Sequence, residues 1–155
     1  MNNNDHRLAE AIISDIDQSE DLIAERSFSS VYFGGGTPSL SSVEPIKKIL
    51  DVVKNRLEGE ETEITFEMNP NDVSRKKIDG LLKAGVNRIS LGVQSYHDQE
   101  LKALGRSHDS GSILEAKKIL KDTNTTIDLM YGIENQTSES FTSNLKKFLS
   151  SDINH

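Results

Sequence analysis

Apolar and polar positions in this chain follow two rhythms, a period of two over short stretches and a period near 3.6 between them. The period of two is clearest at residues 64–69, where Ile64, Phe66 and Met68 alternate with Thr65, Glu67 and Asn69 before Pro70 closes the run. It recurs in Arg88–Gln94, with Ile89, Leu91 and Val93 on one face and Ser90, Gly92 and Gln94 on the other. Residues 126–130 repeat it around Ile127, Asp128 and Leu129, and the apolar run 31–33 adds a fourth strand, read as buried. Between strands the longer period predicts helices. Residues 5–24 place Leu8, Ile12, Ile16 and Ile23 on one face. Ser41 with Glu44 has the spacing of a capping box ahead of Val43, Ile46, Leu50, Val53 and Leu57. Ser74 caps a helix carrying Ile78, Leu81 and Leu82 that stops at Gly85, and Ser95 with Asp98 boxes a short helix ending at Gly105. Residues 110–121 form a further helix, and Thr137 caps a last one bearing Phe141, Leu145 and Phe148.

Strands that alternate with helices imply a parallel sheet with right-handed crossovers. A doubly wound sheet buries both strand faces and reads as continuous apolar runs. Here one face is aliphatic and the other polar, so helices cover the aliphatic face and the polar face lines a lumen. The expected fold is α/β, a partial (β/α) TIM-type barrel of about four parallel strands alternating with helices, spanning residues 1–155 as one domain. Glu67, Gln94 and Asp128 then stand at the carboxyl ends of successive strands, the face where barrels bind ligands. The first strand runs into Gly34, Gly35, Gly36 and Thr37, a loop whose free N–H groups suit a polar or anionic ligand. A tight turn needing glycine explains the loop alone equally well. A single polar residue on a strand is more simply a group facing water, but three at equivalent places beside that loop favour a site.

Composition narrows the chemistry. With 25 acidic against 18 basic residues the formal charge is -7, which argues against non-specific nucleic-acid binding. A hydrophobic content of 34% allows only a modest core for 155 residues. No apolar run has the length of a membrane span, and Met1 to Asp5 lack the layout of a signal peptide, so a cytoplasmic location is expected. Cysteine is absent, which removes disulfides, thiolate nucleophiles and cysteine-held clusters. His6, His97, His108 and His155 lack metal-ligand spacing and read as surface imidazoles. Ser95 and His97 point apart at a strand end, so capping accounts for Ser95 better than nucleophile chemistry does. Lysine pairs at 47–48, 76–77, 117–118 and 146–147 read as solvated helix faces.

Five blocks then converge on one resemblance: residues 33–40, Glu67 to Pro70, Gly85 to Ser95, Leu101 to Arg106 and Ile127 to Gly132. In order and content they resemble the radical S-adenosylmethionine core of the oxygen-independent coproporphyrinogen III oxidase family. Asn69-Pro70 and Gln94-Ser95 are closer to its haem-chaperone branch. The resemblance implies that Gly35, Gly36 and Thr37 hold the methionine end of S-adenosylmethionine, with further contacts from Glu67, Gln94, Arg106 and Asp128. It also implies a [4Fe–4S] cluster, and haem in the chaperone branch, for a full-length parent. Family members carry a CxxxCxxC loop for that cluster; this chain has no cysteine, and Glu134 stands where proline is usual. The expectation is therefore a middle section of the barrel, without the cluster-binding strand and loop and without a C-terminal domain, inactive alone. A non-catalytic remnant that packs on a partner is the alternative. Two open sheet edges predict self-association.

Overall fold

The protein is described by a computed structural model covering residues 3–151 and residue 153. Helices α1 (Asn3–Gln18) and α2 (Glu20–Ile23) lead into strand β1 (Ser30–Phe33). Helix α3 (Val43–Val53) connects β1 to β2 (Glu63–Met68), and α4 (Arg75–Ala84) connects β2 to β3 (Arg88–Gln94). Two helices, α5 (Asp98–Ala103) and α6 (Ser110–Leu120), lie between β3 and β4 (Thr125–Leu129), and α7 (Ser138–Leu149) follows. All four strands are parallel, in the order β1-β2-β3-β4. The predicted sequence-ordered parallel sheet is the observed one.

The aliphatic strand face and the helices share one core. Phe66, Ile89, Leu91 and Val93 are wholly covered, packed against Leu50, Ile78, Leu81, Leu101 and Leu120. Each such side chain contributes about 1.5–3 kcal/mol through removal from water. Gly85 ends α4 in the left-handed region, φ 112°, as its position in the sequence predicts.

Several local expectations are corrected. The N-terminal helix is broken at Ser19, whose N–H bonds to both Asp15 and Ile16, and its buried contact is Ala9, while Leu8 is 59% exposed. Strand β1 is not buried: Val31 and Phe33 are half-covered, and Tyr32 lies exposed on the polar face. No capping box forms at Ser41, because a 3-10 turn at Pro38–Leu40 uses its N–H, and α3 starts after Ser42 without a side-chain cap. At α5 the N-terminal residue is His97, while Asp98 accepts from Ser110 of α6 instead. Leu57 lies beyond α3 and forms an isolated parallel bridge with Phe28. On α7 the buried residue is Asn144, with Leu145 partly exposed. Among the described residues no helix is long and apolar enough to cross a membrane.

Candidate functional site

The polar sheet face is layered. Lowest, the Arg88 guanidinium donates to Glu63 at 3.0 Å, Thr65 at 3.3 Å and Thr126 at 2.5 Å, tying three strands together. Above it Tyr32 Oη donates to Glu67 Oε1 at 2.8 Å, and Ser90 Oγ donates to Asp128 Oδ2 at 2.8 Å. Burial and the Glu67 contact both push the Tyr32 phenol up, so it remains a donor at neutral pH. At the carboxyl ends of the strands a cavity of about 260 Å³ opens. Gly36, Thr37, Ser39, Glu67, Asn69, Ser90, Gly92, Gln94, Arg106 and Asp128 line it, with Pro38 and Met68.

The loop at its rim is built by glycine. Gly35 and Gly36 take φ of 80° and 61°, the left-handed region that side chains with a Cβ disfavour, and the space outside both is open. The loop is pinned from behind by Ser39, whose Oγ donates to Asp72 at 2.5 Å and accepts the Asn69 N–H at 3.2 Å. Lys77 donates its ammonium to the Ser39 carbonyl; burial pulls its pKa down while Asp72 and Asp5 resist. This lysine is therefore not the solvated group its pair suggested.

Across the cavity β3 ends in a bulge, and Gln94 adopts φ 65° with the Ser95 N–H reaching back to Val93 at 2.8 Å. Positive φ at a non-glycine residue is rare and concentrates at sites. Gly92 makes room for it, since a Cβ there stands 3.2 Å from Gln94 Nε2. The Met130 N–H donates to the Gln94 carbonyl at 2.9 Å, joining the β3 and β4 ends.

Of the seven residues named from sequence, six line this one cavity: Gly36, Thr37, Glu67, Gln94, Arg106 and Asp128. Gly35 instead lines a smaller cleft between α1 and α3. Sequence reasoning misses Tyr32, Ser39, Asn69 and Ser90 as site residues; Ser90 is legible from its place on the polar face, and Tyr32 is hidden by its apolar neighbours. His108 corrects the surface reading of the histidines: it is 3% exposed, its Nε2 is 3.2 Å from the Val93 carbonyl, and burial lowers its pKa. His97 Nε2 is likewise buried, without a partner, while His155 lies outside the described residues. Ser95 neither caps α5 nor faces the cavity; it is fully buried against Glu100.

Residues 6–148 match the family described as the Radical SAM superfamily. The chain belongs to the radical SAM superfamily. It is 36% identical over 146 residues to the heme chaperone HemW of Haemophilus influenzae, covering 92% of this chain and 38% of that protein. It is 41% identical over 121 residues to the mitochondrial radical S-adenosyl methionine domain-containing protein 1 of Dictyostelium discoideum, covering 71% of this chain and 26% of that one. Among solved structures, coproporphyrinogen III oxidase (HemN) from Escherichia coli superposes with a TM-score of 0.80 at 28% identity, over 94% of this chain and 34% of that chain. The chain thus spans only 38% and 26% of the length of these two curated relatives. It corresponds to a section of a coproporphyrinogen oxidase-like radical SAM protein, and its relatives in Haemophilus influenzae, Lactococcus lactis and Escherichia coli all carry the name heme chaperone HemW. The four-stranded sheet is accordingly a piece of the TIM-type radical SAM barrel.

Proposed function

We propose that the cavity is an S-adenosylmethionine site, carried by a barrel section of the haem-chaperone type. The supporting observation is the convergence of six of the seven residues on one cavity whose donors and acceptors suit an amino-acid end and a sugar. Glu67 keeps Oε2 for an ammonium, Arg106 supplies a guanidinium for a carboxylate, and Asp128 keeps Oδ1 for ribose hydroxyls. The open space outside Gly36 lets its backbone N–H approach the ligand, with Thr37 beside it, while Gly35 shapes the loop from outside the cavity. Acidic Glu67 and Asp128 disfavour a phosphate in the same place.

A [4Fe–4S] cluster does not fit the residues of this chain. It has no cysteine, and among the described residues no group of three or more His, Cys, Asp or Glu could hold a metal ion. The cluster and haem therefore belong to this reading only through a longer parent. This chain's own residues bind and orient the ligand. With three or four polar contacts of about 1.5–3 kcal/mol against the cost of ordering the ligand, affinity falls on the order of millimolar.

Calorimetry with S-adenosylmethionine tests this. Binding near that range is expected, weakened about tenfold in Asp128→Ala with an unchanged circular dichroism spectrum. A folded sample that binds nothing, or binding indifferent to Glu67→Gln and Asp128→Ala, overturns it. The edges of β1 and β4, unpaired among the described residues, favour a second reading, a partner-binding module that pairs with added strands in the cytoplasm.

A further inference from the structure

Helix α5 separates two cavity residues, Gln94 before it and Arg106 after it, and its buried acid is Glu100, 6% exposed. The Glu100 carboxylate accepts four side-chain hydrogen bonds. Ser95 Oγ donates at 2.6 Å, Ser140 Oγ at 2.6 Å, Gln136 Nε2 at 2.9 Å and Asn144 Nδ2 at 3.1 Å. These donors come from three places: the residue after Gln94, the connection after β4, and α7. All four continue to backbone, Ser140 Oγ by accepting the Thr137 N–H at 3.1 Å. Ser95 Oγ accepts the His97 N–H at 2.9 Å, Asn144 Oδ1 accepts the Tyr96 N–H at 2.8 Å, and Gln136 Oε1 accepts the Gly132 N–H at 2.9 Å.

Burial raises a carboxyl's pKa, but the hydrogen bonds from Ser140, Ser95, Gln136 and Asn144 outweigh it and hold Glu100 at about 2. A buried charge is costly unless its lone pairs are used, and a packing role alone is served by leucine. Four convergent donors therefore mark a group whose charge organises its surroundings.

We infer that Glu100 is a positioning residue: its carboxylate locks the connection after β3 to the connection after β4 and so fixes Gln94 and Arg106 over the cavity. The consequence for ligand rests on the reading of that cavity as an S-adenosylmethionine site; the lock itself does not. Glu100 does not line the cavity and acts through Ser95, Gln136, Ser140 and Asn144.

The test uses the full chain with Glu100→Gln, which keeps the size and replaces one acceptor by a donor facing other donors. Ser140→Ala removes a single donor and carries the same test if Glu100→Gln does not fold. Amide hydrogen exchange without ligand is expected to accelerate about tenfold at His97, Gly132 and Met130 while Phe66 in β2 keeps its rate. S-adenosylmethionine affinity is expected to fall about tenfold. Acceleration shared equally by Phe66 reduces Glu100 to general stability and overturns the inference. So does unchanged exchange, or local acceleration without loss of affinity in a protein that binds. If the unmodified chain binds no S-adenosylmethionine, the ligand reading falls and the exchange pattern alone decides the lock.

Discussion

At Ser39, 1% exposed, a single hydroxyl joins the glycine loop to the Asn69–Asp72 turn. Ser39→Ala leaves the Asp72 carboxylate and the Asn69 N–H short of a partner, costing about 1–3 kcal/mol. Urea unfolding is expected to show a lower midpoint with an unchanged slope; an unchanged midpoint contradicts the anchoring role. Residues of this kind are the least legible in sequence. Glu67, Gln94 and Asp128 can be read because a strand's period of two assigns a face from neighbours alone. Ser39 and His108 sit in connections, where burial is decided by distant segments. Asn144 lies on the apolar stripe of α7 with Phe141 and Phe148, but its polar side chain conceals that it is the inward residue.

Elements are legible in kind and order, and less so at their ends. The parallel sheet and its crossovers follow from hydrophobic periodicity, which long-range packing reinforces. Both misplaced caps follow from competition: a 3-10 turn takes the N–H of Ser41, and α6 takes the carboxylate of Asp98. The element most dependent on electrostatics is α5. The Glu100 carboxyl sits at about 2 in the folded chain, below the 4.5 of an ordinary glutamate. The unfolded chain therefore binds the proton more tightly. The stabilisation is fully present above pH 4.5 and is lost as pH falls from there toward 2. Thermal melts of the unmodified chain are expected to drop more steeply over that window than those of Glu100→Gln, the two converging at the acid end. Parallel curves would count against the hydrogen-bonded, ionised state.

For the whole molecule, the sheet's outline decides behaviour in solution. Strands β1 and β4 each pair on one side, so among the described residues each presents an unpaired row of N–H and C=O groups. Neither contains proline, the residue that most simply blocks such an edge. Tyr32 on β1 and Met130 just past β4 add exposed apolar surface beside those rows. Against this stand the shortness of both strands, four and five residues, and a charge of -7 that makes copies repel. Backbone pairing acts at contact, whereas repulsion between exposed charges fades beyond about 8–10 Å at ordinary salt. The edges are therefore expected to win once salt is present. Sedimentation velocity should show association that rises with concentration and strengthens from low to moderate salt. Tyr32→Lys places a charge on the exposed face of the edge strand, which a docking copy must desolvate, and should raise the concentration needed for association about tenfold. A compact monomer at every concentration and salt, with one cooperative thermal transition, would show that the open edges are already satisfied within the chain.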